Sequence, residues 1–239
     1  MATTTNKQRL LTQLFTVLKK KGEYAEPEAR PLLEQLLYAI CRENATRDLA
    51  DRAYQNLRSQ FFDWNEVRVS SPHEVEEALA DLPEPVQRAE RIISLLQEVF
   101  EANFSFDLEA MHKKGVKQAV KSLARFQAVN DHTVAWAVQQ SLGGHAVPLD
   151  EVSLRVVQRL GLVDRDLQDR ETLRTSLEHL IPKAKGALFN ELISWLGAEH
   201  CWENEPNCPR CPLCAECPAG QESAAAEAAA ARATRSKPR

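Results

Sequence analysis

The chain has 239 residues, enough for one sizeable core or two small domains, and its 44% hydrophobic and 27% charged residues are ordinary for a globular protein. No apolar run approaches the roughly 20 residues a bilayer crossing needs. Residues 1–15 hold neither a long apolar segment nor a small-residue cleavage site, so a cytoplasmic location is expected. The net charge is −4, and because residues 221–239 carry four basic against two acidic side chains, the remainder carries −6. Any nucleic-acid surface must therefore be a local basic patch on an acidic body.

In chain order, nearly every segment is predicted to be helical. Leu10, Leu11, Leu14, Phe15 and Leu18 give the first helix an apolar stripe, and Leu32, Leu33, Leu36, Leu37 and Ile40 do the same for the second. In Ser71-Pro72-His73-Glu74, Ser71 can cap a helix, Pro72 suits its first turn and Glu74 completes a capping box. A long helix begins near Pro85 and carries Ile92, Ile93, Leu95, Leu96, Val99 and Phe100. Later helices are predicted over 107–113, 116–126, 132–142, 150–160, 171–180 and 185–199. With only 8 glycines and no alternating β-branched runs, a sheet has little support and the fold class is all-α. Beyond Cys217 an Ala-rich segment with a basic end has no apolar face to bury, so 219–239 is expected to be a disordered tail.

Five of the six cysteines crowd into residues 201–217, while Cys41 lies alone in a helical stretch. A disulfide scaffold spreads its cysteines through a short secreted chain, so this clustering points to metal binding. The order is Cys201-x6-Cys208-x2-Cys211-x5-Cys217, with Cys214 as an additional member. Short spacings let one loop supply several thiolates to an iron–sulfur cluster, and Pro209, Pro212 and Pro218 stiffen that loop. Zinc is the chemical rival, since four thiolates also suit a tetrahedral structural site. A second grouping, Cys208-x2-Cys211-x2-Cys214 with Cys217-Pro218, resembles a bacterial ferredoxin run.

The x6, x2, x5 order is similar to that of the endonuclease III family of helix-hairpin-helix DNA glycosylases. The resemblance extends over roughly residues 30–218. It includes Asn44 to Tyr54, the run Val147-Pro148-Leu149-Asp150 with Arg155-Val156 and Arg159 to Leu162, and Leu192-Ile193 with Gly197 leading into Cys201. It implies a six-helix barrel domain with a hairpin motif over 28–145, and a helical cluster domain made of 1–27 and 146–218. A DNA-binding cleft would be flanked by the two. Cys201, Cys208, Cys211 and Cys217 become ligands of a [4Fe–4S] cluster, and Cys214 a bystander. The implied partner is double-stranded DNA with a damaged or mismatched base, and a monomer is expected.

The family's hairpin turn is Gly-hydrophobic-Gly, followed in the bifunctional glycosylase–lyases by a lysine. The matching segment here is Ala128-Val129-Asn130-Asp131-His132-Thr133. It lacks both glycines, although Asn130 tolerates a left-handed backbone. Asp131 adds negative charge where a phosphate would dock. His132 stands at the lyase-lysine position, and imidazole forms no stable Schiff base, so lyase action is expected to be weak or absent. Asp150 matches the catalytic aspartate, where a carboxylate can activate water and stabilise positive charge on the sugar. Its other reading is as cap of the helix beginning at Glu151.

Glu151 and Val152 depart from the family's usual Thr-His, and Arg42 and Glu43 replace small or amide residues that often line the base pocket. Lys117 and Lys121, with Lys113, Lys114 and Arg125, form a basic run just before the hairpin, either a phosphate contact or a solvated helix face. Of the four tryptophans, Trp136 alone is near the expected DNA surface.

Three readings follow. The first is a monofunctional DNA N-glycosylase of base excision repair, using Asp150. The second is a non-catalytic iron–sulfur protein of the same fold that binds DNA or a partner. The third is a redox or iron-sensing protein that uses the fold as housing.

Overall fold

The computed structural model describes residues 4–21, 26–165, 167 and 169–235. Among these, every regular element is a helix: α1 (Thr4–Lys21), α2 (Leu32–Arg42), α3 (Arg47–Gln60), α4 (Trp64–Val69), α5 (Pro72–Ala78), α6 (Pro85–Asn103), α7 (Val116–Leu123), α8 (Asp131–Gln140), α9 (Glu151–Arg159), α10 (Arg170–Leu180), α11 (Gly186–Glu199) and α12 (Pro218–Arg235). Short 3-10 turns occupy Glu109–Lys113, Lys183–Lys185 and Cys208–Arg210. Among the described residues no helix is long and apolar enough to cross a membrane.

The chain divides into two compact units, one of residues 26–150 with 183–187, the other of 1–25, 151–182 and 188–239. Besides a two-residue shift that brings 26–27 into the larger unit, the sequence-based boundaries differ at two places. Residues 146–150 stay with the larger helical unit, because the Asn44 N–H holds the Asp150 carboxylate there. Lys183–Ala187 also joins it: the Lys183 ammonium donates to the Gly143 carbonyl, and Gly186 lies where any Cβ would press on the Gln139 amide.

The first unit is built around α2, whose apolar positions Leu32, Leu36, Leu37 and Ile40 are fully buried and pack against α3, α6 and α8. Three helices of this unit, α3, α4 and α5, start on a residue whose side chain caps them. Thr46 accepts from Leu49 N, Asp63 from Glu66 N, and Ser71 forms the expected capping box with Glu74 while Pro72 occupies the first turn. Such caps each contribute about 1 kcal/mol. α6 opens on Pro85 and ends where Phe104 turns left-handed, at φ 52°.

From α6, the buried Arg88 donates to three carbonyls: Pro83 at 2.5 Å, and Ile40 and Glu43 at the end of α2. Those are carbonyls that a helix end leaves without intrahelical partners. Cys41, on the inner side of α2, is wholly buried, and burial pushes its thiol up to about 12, which makes it inert packing.

In the second unit α1 buries Leu10, Leu11 and Leu14, while the Leu18 side chain lies outside the described residues. α9 and α11 meet at Gly197, where an added Cβ would collide with Val152. This close approach brings α11 into the position from which it delivers Cys201.

The tail is not disordered as expected. Pro218–Arg235 forms α12, and only residues 236–239 of that tail lie outside the description. A run of alanines starting on proline needs no apolar face to favour helix locally.

Candidate functional site

The first candidate site starts at the turn after α2. Asn44 adopts φ 55°, a left-handed conformation asparagine tolerates better than most residues. This reverses the chain and aims the Asn44 N–H at Asp150 Oδ2, 2.7 Å away. Asp150 is only 6% exposed, and it lies immediately before α9. His132, on the first turn of α8, is equally buried and close enough to Asp150 and Glu43 for their charges to act on its ionisation. Sequence reasoning thus named two residues, Asp150 and His132, that the fold brings together over a short electrostatic distance.

Burial lowers the His132 pKa below the ordinary histidine value; the Asp150 and Glu43 carboxylates pull the other way and do not win. His132 is therefore neutral near pH 7, and its Nδ1 is buried with no hydrogen-bond partner among the described residues. Glu43 is held below the usual carboxylate range although burial opposes this. With His132 neutral, the holding at pH 7 comes from Arg91 at 2.7 Å and the Asn130 amide at 2.8 Å.

A pH dependence follows from His132. An unfolded histidine gains its proton near pH 6.5, whereas folded His132 gains it only at lower pH, so protons favour the unfolded chain. Stability should fall as pH drops below about 6.5, by up to about 1.4 kcal/mol per unit for this group. Urea midpoints from about pH 7.5 to about 5.5 should fall less for His132→Gln than for the native chain. Parallel curves would show that His132 takes its proton while folded.

The hairpin between α7 and α8 is braced rather than open. Asn130 is not left-handed; at φ −105° it is the extended cap of α8, with its Oδ1 accepting from Thr133 N at 2.9 Å and from the Thr133 hydroxyl at 2.8 Å. Arg91 donates to the Ala128 carbonyl and the Thr133 hydroxyl, both at 3.4 Å. The N–H groups of Gln127 and Ala128 donate to the Glu98 carboxylate at 2.6 and 3.3 Å. A protein carboxylate thus takes two amides at the turn.

Ala128 is buried, Val129 half-buried, and Thr133 fully buried. Lys117 and Lys121 are exposed on one face of α7, with Ala119 and Leu123 buried on the other. Trp136 is core: its ring packs on Tyr38, and its Nε1 donates to Gln35 at 3.1 Å. Sequence reasoning missed Asn44, Arg91 and Glu98, whose partners lie between 29 and 106 residues away.

The second candidate site is the cysteine loop. Cys201, Cys208, Cys211, Cys214 and Cys217 line one cavity of about 30 Å³, closed on its apolar side by Val156, Leu160 and Leu196. Among the described residues no three donor side chains stand close enough to hold a single metal ion as they are. The thiols stand around a space.

α9 secures the loop. Arg155 Nε donates to the Cys201 carbonyl at 3.0 Å, and Arg159 reaches Cys201 Sγ at 3.6 Å and the carbonyls of Trp202 and Glu203 at 2.5 and 2.8 Å. Burial is the main cause raising the thiol pKa values of Cys208, Cys211 (to about 11) and Cys217, and charge on the neighbouring thiols adds to it. Every pair among Cys201, Cys208, Cys211 and Cys217 is close enough to interact in this way.

No protein-family model matches the chain. A candidate DNA glycosylase of Arabidopsis thaliana is 23% identical over 157 residues, which cover 66% of this chain and 53% of that protein, so the chain spans about half the length of this curated relative. Among solved structures, a non-covalent endonuclease III–DNA complex superposes with a TM-score of 0.69 at 20% identity, over 93% of this chain and 99% of the other. A trapped endonuclease III–DNA covalent intermediate gives 0.67 at 21% over the same shares, and a thermostable thymine-DNA glycosylase 0.66 at 18%, over 92% and 99%. The chain has the all-helical fold of endonuclease III and of other helix-hairpin-helix DNA glycosylases.

Proposed function

We propose that this protein is a base-excision DNA N-glycosylase that removes a damaged or mismatched base without a lyase step. The observation that carries the reading is the Asp150 carboxylate, buried, fixed by the Asn44 N–H and within electrostatic reach of a neutral imidazole where a lyase would need a primary amine. In such a reaction the N-glycosidic bond breaks, the base leaves with the bonding electrons, and positive charge grows on the sugar. Asp150 opposes that charge and orients a water molecule, whose oxygen bonds to the anomeric carbon as one of its protons passes to the carboxylate, while the departing base takes up a proton from solvent. A buried carboxylate does this better than an exposed one, because water does not screen it. Lys117 and Lys121 supply exposed positive charge to the DNA backbone.

The test is single-turnover reaction on duplexes carrying a panel of lesions and mismatches, each product analysed with and without alkali. Alkali-dependent strand cleavage is expected. Borohydride should trap no covalent complex with the native chain, whereas His132→Lys is expected to give one, because a primary amine then faces the abasic sugar.

Five thiols around one space are a donor set suited to a [4Fe–4S] cluster, which Cys201, Cys208, Cys211 and Cys217 would hold, and the Arg159 guanidinium beside Cys201 Sγ would offset thiolate charge. When bound, the cluster would tie the loop to α9 and α11 and so stiffen this unit.

A second reading is favoured by one observation. The amides of Gln127 and Ala128 are already taken by Glu98, and Asn130 by Glu43, so the hairpin offers less to a phosphate than an open turn would. A non-catalytic DNA- or partner-binding protein would tolerate this. Absence of cleavage on every lesion, from chain loaded with iron and sulfide, would select it.

A further inference from the structure

Cys214 is the thiol that the four-ligand reading does not use. The backbone explains where it points. Cys211 N donates to the Cys208 carbonyl at 3.0 Å, and Cys214 N to the Cys211 carbonyl at 3.1 Å, two consecutive bonds between residues three apart. The first bond closes the short 3-10 turn Cys208–Arg210, the second a separate turn after the extended Cys211, and the two turns fold the loop back on itself. Cys208, Cys211 and Cys214 all line the same cavity.

Cys214 is held there by the start of α12. At Gly220 a Cβ would lie 2.7 Å from the Cys214 carbonyl and 3.1 Å from its Sγ, so only glycine lets the helix press this closely.

We propose that Cys214 is a replacement ligand, able to take over the iron that Cys208 holds by exchange of one thiolate for another. The exchange involves no change of oxidation state: one Fe–S bond breaks, one forms, and the released Cys208 thiolate takes up the proton that Cys214 gives up. Cys208 is the natural site of exchange. It lies on the opening turn of the loop, half-exposed, and its thiol has the Ser223 side chain as a hydrogen-bond partner ready to receive it. The inference rests on the cluster reading above.

The experiment compares the full-length native chain with Cys208→Ser, Cys214→Ser, Cys208→Ser/Cys214→Ser and Cys211→Ser, all purified under nitrogen. Iron, acid-labile sulfide and the visible charge-transfer absorbance are measured per chain, with far-UV circular dichroism as the check on folding. Cys214→Ser should match the native chain. Cys208→Ser should keep most of its iron and sulfide, whereas the double variant and Cys211→Ser should lose them at least about five-fold. Any variant recovered unfolded is refolded from urea with ferrous iron and sulfide, so its loading is still read.

Cys208→Ser as empty as the double variant, beside a loaded native chain, would overturn the replacement role and leave the four-ligand reading intact. Equal retention by all variants would overturn it too. A native chain that takes up zinc or nothing, and no sulfide, would sink the cluster reading itself.

Discussion

Asp150→Asn should lower the single-turnover rate of base release by at least about 100-fold, with little change in stability. The substitution keeps shape, and the asparagine Oδ1 can still accept from the Asn44 N–H, which now lies 2.7 Å from Asp150 Oδ2. What is lost is the negative charge. A neutral amide neither stabilises a developing sugar cation nor takes a proton from water, and groups of this kind contribute roughly 10²–10⁴-fold each. DNA binding should tighten slightly or stay unchanged, since a negative charge has been removed. A turnover within about three-fold of native would remove Asp150 from the chemistry and leave it the role of anchoring the α2–α3 turn.

Arg88→Met should cost about 3–5 kcal/mol in urea unfolding, a loss as large as truncating a fully buried core side chain. The methionine fills similar volume, so the cost is not a cavity. Three carbonyls, the buried one of Ile40 and the part-buried ones of Glu43 and Pro83, lose their donor together, the first two at the end of α2 where the backbone offers no replacement. Arg88→Lys keeps the charge but not the fork, and should fall between. Because Glu43 precedes Asn44, the methionine variant should also loosen the N–H that holds Asp150, and base release should fall with stability. A loss below about 1 kcal/mol would mean that water enters and satisfies those carbonyls.

Much of the architecture was legible because helix periodicity and capping are local. The α2 stripe, the Ser71–Glu74 box and the long α6 depend on neighbours three or four residues apart, and each stands where the pattern put it. The cysteine spacing was legible for the same reason, and its members do share a cavity. The tail misled because absence of an apolar face was weighed above alanine's own preference for helix.

What the sequence hid is long-range. Nothing near Glu98 announces that its carboxylate caps Gln127, nor near Arg91 that it would hold Glu43, Ala128 and Thr133 at once. Asn44 could have been suspected, since asparagine after a helix so often turns left-handed, but its partner Asp150 could not.

The way the chain is threaded through its two units has a consequence for its birth. Residues 26–150 emerge from the ribosome as a nearly complete helical unit, while α1, made before them, belongs to the other. One of its anchors, the Gln13 amide bound to Glu216 at 3.0 Å, joins residues 203 positions apart. At translation rates of 5–20 residues per second, Leu10, Leu11 and Leu14 would wait roughly 10–40 s before the surface that buries them exists. During that interval α1 carries an apolar stripe without a surface to cover it, the form of segment that general chaperones hold. Slowing synthesis through the cysteine loop would lengthen the exposure, and with it the fraction of chains lost to aggregation.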